Sequence, residues 1–222
     1  MQKRDIRSYV IREGRMTPGQ RRALDEQWTR FGLDIANGLL DVSFEKSPSE
    51  KALFEKKGDI VLEIGFGMGD SLFEMAQMSP ETNFIGAEVH RPGVGHLLQL
   101  AASHELDNLK VFQADSIDVL TQCIPDNCLS KVQIFFPDPW HKKKHNKRRL
   151  ISNEFVALIR EKLAPLGIIH IATDWAPYAE VIKEVMQGWT PCEIPQRVET
   201  KYERRGLRLD HEVFDLAYKK QT

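Results

Sequence analysis

Short apolar stretches alternate with amphipathic stretches from about residue 59 onward. Stretches that are apolar throughout predict strands at residues 60–64, 83–88, 110–112, 131–136 and 168–173, and a late strand is predicted at 212–218. Between them, helical spacing of apolar residues predicts helices at 71–78, 94–104, 117–123, 153–163 and 177–187. Strands that are apolar on both faces are typical of a parallel sheet between helices. The pattern therefore predicts a doubly wound α/β fold.

The first quarter of the chain lies outside this alternation. Residues 1–16 are Arg-rich and lack periodicity, which indicates a mobile basic arm. Thr17-Pro18 matches an N-cap followed by proline, so we expect a helix from there to about Phe31. A capping-box pattern at 47–50 predicts a second short helix that ends near residue 57. We therefore expect the chain to have two parts: a basic N-terminal arm with short helices at residues 1–57, and one domain at residues 58–222.

Net charge of the 222-residue chain is −1, but the charge is unevenly distributed. Residues 1–22 hold seven Lys or Arg against two acids, residues 142–149 hold six against none, and residues 197–208 hold five against two. Affinity for phosphate depends on local potential, so an acidic body with three basic segments remains compatible with a nucleic-acid partner.

Other bulk features favour a reduced, cytoplasmic location and no membrane partner. No apolar run approaches the length of a membrane span, and the first residues lack the apolar region of a secretory signal. Cys123, Cys128 and Cys192 form no C-x-x-C pair, so we expect free thiols. His141 and His145 have the spacing of a metal pair, but the six cations nearby argue against a metal.

Glycines at 65, 67 and 69 join the first strand to its helix, where open α/β sheets bind ligands. A dinucleotide-binding loop would have a further glycine at position 70, which is Asp70 here. Glu63 stands on the other side of the loop. A loop flanked by two acids would repel phosphate and suits a ligand with a positive end.

Acids also follow the next two strands. Glu88 ends the second strand at the position from which an acid accepts both hydroxyls of a ribose. Asp115 follows the third strand, where it would accept from an adenine amino group. Together with Glu63 and the glycine loop, these acids resemble a class I S-adenosylmethionine-dependent methyltransferase. The resemblance implies a mostly parallel, seven-stranded sheet with one late antiparallel strand. It also implies that Glu63, Gly65, Gly67 and Gly69 hold the methionine part.

The fourth strand runs into Pro137-Asp138-Pro139-Trp140, followed by Lys142 to Arg149. This motif is similar to, but shifted from, the Asp/Asn-Pro-Pro-aromatic motif of enzymes that methylate amino groups of bases. The wider stretches 86–95, 135–145, 172–175 and 200–206 resemble bacterial tRNA (guanine-N7-)-methyltransferases. The resemblance implies transfer of the methyl group of S-adenosylmethionine to the guanosine at tRNA position 46, leaving S-adenosylhomocysteine.

Guanine N7 carries an in-plane lone pair and no proton, so it needs no general base. The product ring is cationic, which makes Asp138 the expected catalytic residue and part of the cofactor site. Asp174 and Glu203 would accept from the N1 and N2 hydrogens of guanine. Trp140 would stack on the base, whereas Trp175 is expected in the core or pocket wall. Further substrate contacts are expected from Lys142, Thr200, Lys201 and Tyr202, and RNA-backbone contacts from Lys144, His145, Asn146, Lys147, Arg148 and Arg149.

Three other functions compete with this interpretation. A methyltransferase acting on an exocyclic amine would use the same cofactor loop, and Asp138 could accept from the amine. An RNA-binding module with an inactive nucleotide fold would not need the four acids Glu63, Glu88, Asp115 and Asp138. A nicotinamide oxidoreductase is disfavoured by Asp70. A monomer and a homodimer are both compatible with the sequence.

Overall fold

The computed structural model describes residues 7–10, 14–42, 52–207 and 212–221. Within them, one sheet of eight strands has the order β1-β4-β3-β2-β5-β6-β8-β7. The strands are β1 (Gly32–Leu33), β2 (Ile60–Ile64), β3 (Asn83–Ala87), β4 (Leu109–Phe112), β5 (Leu129–Phe135), β6 (Leu163–Thr173), β7 (Thr190–Pro191) and β8 (Phe214–Lys219). The helices are α1 (Pro18–Phe31), α2 (Asp70–Met78), α3 (Arg91–Ser103), α4 (Ser116–Gln122), α5 (Asn153–Lys162), α6 (Ala176–Val185) and α7 (Lys201–Leu207).

The predicted fold is confirmed, including the single late strand, β8, that pairs antiparallel with both of its neighbours. The described sheet has eight strands and not seven, because Gly32–Leu33 adds a two-residue parallel strand beside β4. Side chains of alternate strand residues pack into two separate cores, one on each face of the sheet. Leu62 lies in one core and Val61 in the other, as expected for strands buried on both sides.

Parallel pairing sets the position of the functional groups. Ile64 at the end of β2 is in register with Ala87 of β3 and Ile134 of β5, and Phe135 is in register with Ala172 of β6. The carboxyl ends of these strands therefore meet at one edge. The strand order reverses between β2 and β5, which makes this edge the topological switch point where α/β sheets bind ligands.

The N-terminal helix begins as predicted. Thr17 accepts from the Gln20 amide, and the Gln20 side chain accepts from the Thr17 amide, which completes a capping box. The start of the predicted second helix lies outside the described residues. Its predicted end, residues 52–57, forms bends and not a helix, and Phe54 within it is buried in the core. The proposed boundary at residue 57 stays a prediction.

No helix in the described part of the chain is both long and apolar enough to cross a membrane.

Candidate functional site

The glycine loop provides an open cradle at the end of β2. The backbone φ angles of Gly65, Gly67 and Gly69 are +75°, +59° and +80°, and residues that carry a side chain rarely adopt such angles. The space that a Cβ would fill at Gly65 and at Gly67 is open to 4 Å. Backbone can therefore approach a ligand closely at these two positions.

Two adjoining cavities share this loop. The larger, of about 650 Å³, runs over the ends of β3 and β5 and is lined by Glu88, Ala114, Asp138 and the arm residue Tyr9. The smaller, of about 280 Å³, extends toward Glu63 and Asp70. Both include Gly65, Gly67, Phe135, Phe136 and Tyr202 in their walls. The larger cavity lies within the usual range for small-molecule sites.

Glu88 supports the glycine loop directly. Its Oε2 accepts from the Gly67 amide at 2.8 Å, and its Oε1 accepts from the amides of Val89 and His90 at 2.6 and 2.8 Å. A carboxylate offers about four lone-pair positions, so capacity for a ligand hydroxyl remains. Asp115 caps α4 through its Oδ1 and the Ile117 amide, while its neighbours Ala114 and Ser116 line the cavity.

Glu63 is buried within β2, and its Oε2 accepts from Gln133 Nε2 at 2.6 Å. Burial raises the pKa of this carboxyl to about 7, against the smaller opposing effect of the Gln133 hydrogen bond. A nearby positive charge stabilises the ionised form of a carboxyl that is buried in this way. The sequence did not reveal this shift, since it depends on the depth of residue 63 in the sheet.

Asp70 joins the glycine loop to α7. Its Oδ1 lies 2.7 Å from Lys201 Nζ and 3.3 Å from His96 Nε2, while its buried Oδ2 has no hydrogen-bond partner among the described residues. Burial alone would raise the pKa of Asp70, but the hydrogen bonds from Lys201 and His96 outweigh it and lower the pKa. An unpaired buried acceptor beside Glu63 suits the positive end of a ligand.

The segment after β5 is held in an unusual conformation. Phe136 and Trp140, on either side of Pro137-Asp138-Pro139, have φ angles of +54° and +45°. Such angles in non-glycine residues cost energy and cluster at functional sites. The turn leaves Asp138 exposed in the wall of the larger cavity.

Part of the expected mobile arm contacts this segment. Trp140 Nε1 donates to Ser8 O at 2.9 Å, and Arg148 donates to Arg7 O and Tyr9 O at 3.0 and 2.9 Å. Residues 7–10 of the arm therefore contact the site, and residues 1–6 and 11–13 lie outside the described part. The mobility of the arm stays a prediction. Since Tyr9 lines the cavity, sequence reasoning missed a site residue whose position depends on these contacts.

In the basic segment at residues 142–149, some side chains are exposed to solvent and others contact the protein itself. Lys142, Lys143, Lys144, Asn146 and Lys147 are exposed, and His145 is half-buried. Arg148 lies 3.8 Å from the centre of the Trp140 ring, and Arg149 donates to Pro139 O at 2.8 Å. These two arginines hold the protein's own backbone. Arg148 also covers one face of Trp140, which was expected to stack on a base.

A buried ion-pair network holds α7 against the sheet. Arg197 donates two hydrogen bonds to the Glu203 carboxylate, one of them from Nη2 to Oε1 at 2.8 Å. It donates two further hydrogen bonds to the Asp215 carboxylate. Asp215 in turn pairs with buried His170 at 2.6 Å. Burial would raise the pKa of Asp215, but the hydrogen bonds from His170 and Arg197 lower it to about 2. The Glu203 carboxylate, expected to meet the base, is engaged by Arg197 here.

Asp174 and Trp175 follow β6 beside the Asp138 segment. Asp174 is half-buried, and the Trp175 ring lies 4.4 Å from the His141 ring. Trp175 is 38% exposed, so it does not lie in the core, and its other expected place, the pocket wall, stays a prediction. Among the described residues, no group of three His, Cys, Asp or Glu could hold a metal ion.

Comparisons with known proteins agree with this geometry. Residues 57–216 match the family described as "Putative methyltransferase". The chain is 48% identical to a "tRNA (guanine-N(7)-)-methyltransferase" of Alcanivorax borkumensis, over 99% of this chain and 93% of that one. The same name and identity hold for a relative from Marinobacter nauticus, over 97% and 92%.

Among solved structures, the 16S rRNA methyltransferase KamB matches with a TM-score of 0.58 at 16% identity, over 83% of this chain and 100% of that one. A Haemonchus contortus phosphoethanolamine N-methyltransferase in complex with S-adenosyl-L-methionine matches with a TM-score of 0.51 at 14% identity, over 75% and 50%. At these identities the structural matches establish the fold.

We expect Arg197→Met to loosen α7 selectively. Removing the guanidinium leaves Glu203 without its counter-charge and Asp215 with His170 alone, and breaking a buried pair costs about 3 kcal/mol. Amide hydrogens of α7 should then exchange roughly 100-fold faster by mass spectrometry. Arg160→Met is the matched control, because Arg160 stacks on Trp189 far from α7. Unchanged exchange in the Arg197 variant would show that the network does not hold the helix.

Proposed function

The chain belongs to the tRNA (guanine-N7-)-methyltransferase family, and we propose that it methylates N7 of the variable-loop guanosine at tRNA position 46. Its full-length identity to relatives of that name supports the reaction type and the RNA substrate. The single observation that carries the proposal is the shared edge of β2, β3, β5 and β6. It joins a glycine cradle, Asp138 and a cluster of exposed lysines.

S-adenosylmethionine fits the two joined cavities. The larger cavity would take the adenosine, with Glu88 accepting from the ribose. Ala114, Ser116 and Tyr9 line this cavity, and Asp115, between the first two, would accept from the adenine. The smaller would take the methionine part, whose amino group suits the buried Glu63 and the unpaired Oδ2 of Asp70. The open space at Gly65 and Gly67 supports close backbone contact. When bound, the cofactor supplies a methyl group activated by a sulfonium.

Catalysis by this chain rests on positioning and electrostatics. The guanine N7 lone pair attacks without losing a proton, so no residue needs to act as a base. Asp138 lines the larger cavity from the strained turn after β5, where its carboxylate would stabilise the positive charge that develops on the ring. A carboxylate fixed in advance needs little reorganisation during the reaction.

Selection of guanine over adenine requires acceptors for the N1 and N2 hydrogens. Asp174, at the end of β6 beside the Asp138 segment, is the proposed acceptor. Glu203 is proposed to act indirectly, since its pairing with Arg197 fixes the start of α7. Thr200 Oγ1 accepts from the Glu203 amide there, and α7 then presents Lys201 and Tyr202 to the cavities.

The experiment that tests this function maps the modified base. An unmodified tRNA transcript is incubated with the protein and labelled S-adenosylmethionine, then treated with borohydride and aniline, which cleave at N7-methylguanosine. We expect label in a cationic nucleoside and cleavage at position 46. A neutral, cleavage-resistant product would indicate an exocyclic amine. Cofactor binding without transfer to RNA would indicate a binding module.

Asp138→Asn is expected to keep cofactor and tRNA binding and to lower kcat by about 100-fold, because the amide cannot offset positive charge. Single-turnover kinetics with separate binding titrations measure this. Asp126→Asn is the control, since Asp126 pairs with Lys162 at the opposite end of the sheet. Turnover of the Asp138 variant at the parent rate would remove Asp138 from the mechanism.

Replacing Lys143, Lys144 and Lys147 with Ala should weaken tRNA binding and flatten its dependence on salt. Each phosphate contact contributes about 0.7–0.9 to the slope of log K against log salt, so the slope should fall in magnitude by about 2. A control replaces Lys56, Lys57 and Lys183, which lie away from the site. Equal slopes for the two triple variants would show that residues 143–147 do not contact phosphate.

Cofactor affinity should rise with pH through the Glu63 titration. Burial raises the folded-state pKa of Glu63 from 4.5 to about 7, so the carboxyl is largely neutral at pH 6 and ionised at pH 7.5. Since a cationic ligand binds the ionised form, its Kd should fall roughly eightfold between these values. Calorimetry on Glu63→Gln should show a weaker Kd that is nearly constant with pH. An equal pH dependence in that variant would assign the titration elsewhere.

A further inference from the structure

The tryptophans of the chain differ sharply in accessibility. Trp189 is buried, Trp28 is half-buried and donates to Asp34, and Trp140 is held between Ser8 and Arg148. Trp175 is 38% exposed. It is therefore the tryptophan with the most accessible ring, and it lies at the edge of the sheet that carries the site.

His141 contacts Trp175 from the neighbouring strand end. The ring centroids are 4.4 Å apart and the planes are at 78°, so the two rings form a corner. His141 follows the Asp138 segment after β5, and Trp175 follows Asp174 after β6. The corner is therefore formed by residues that closely follow the two carboxylates proposed to meet the target guanine, Asp138 and Asp174.

Charge around the corner fits a nucleotide. Lys142, Lys143 and Lys144 directly follow His141 and are exposed. Aromatic rings beside a cationic backbone groove are the usual arrangement for binding unpaired nucleotides. A protein partner would instead be expected to cover a broader apolar patch, whereas this corner consists of one tryptophan and one histidine followed by exposed lysines.

We propose that the Trp175–His141 corner is a stacking site for an unpaired nucleobase of the tRNA next to the target guanine. This inference rests on the proposed function and adds a subsite to it. The arm and Arg148 hold Trp140, so Trp175 is the tryptophan at this edge that is open to stack on a base. Stacking on Trp175 would hold the strand opened around the target while Asp138 and Asp174 engage the guanine.

Intrinsic fluorescence tests the site, because Trp175 is the most accessible tryptophan. We expect a tRNA transcript to quench the emission of the wild-type protein, and an RNA duplex of equal length to quench it much less, since paired bases cannot stack. Trp175→Phe should remove most of the tRNA-dependent quenching, and Trp28→Phe should retain it. Equal quenching by duplex, or quenching that survives in Trp175→Phe, would overturn the proposal.

Kinetics provide a second, independent readout. Trp175→Ala should raise the KM for tRNA about 10-fold, within the range for loss of one base–aromatic stack, with an unchanged Kd for S-adenosylmethionine. Trp175→Phe keeps a ring and should restore most of the tRNA affinity. A wild-type KM in Trp175→Ala, or no rescue by Phe, would contradict stacking. Failure of the proposed function is distinguishable, because the wild-type protein would then form no N7-methylguanosine.

Discussion

The parallel pairing of β2 with β5 and of β5 with β6 is the constraint on which the site depends. Register brings Ile64, Ile134 and Ala172 to one edge, so the groups that follow these residues must meet. The glycine cradle, the Asp138 turn and the Asp174–Trp175 pair all follow from this geometry. A shift of one residue in any pair would turn its site residues toward the wrong face of the sheet.

Buried charge connects this edge to the last helix. Glu63 lies in the sheet with a raised pKa, and Asp70 reaches Lys201 of α7 from the other end of the glycine loop. Arg197 binds the same helix through Glu203. Buried ion pairs contribute little net stability to a fold, but removing one partner of such a pair is strongly destabilising. Their effect here is to fix the position of α7 over the cofactor cavities.

Local signals in the sequence were sufficient for the alternation of strands and helices, the N-cap at Thr17 and the acids at the strand ends. They were insufficient where contacts between residues far apart in the sequence determine the local structure or the partner of a side chain. The segment 52–57 forms bends where a helix was predicted, and its Phe54 is buried in the core. The contact of Arg148 with the arm and the pairing of Glu203 with Arg197 carried no sequence signal, and contacts of these two residues with the RNA stay predictions. Tyr9 carried no sequence signal, since only the fold brings it to the cavity.

The central claim is that guanine attacks the methyl group through its N7 lone pair and loses no proton. A tRNA transcript made with 7-deazaguanosine tests this most directly, because the base keeps its N1 and N2 hydrogens and lacks only the N7 lone pair. We expect this RNA to bind and to compete with normal tRNA while accepting no methyl group from labelled S-adenosylmethionine. Methyl transfer to the 7-deaza transcript at the normal rate would contradict the account.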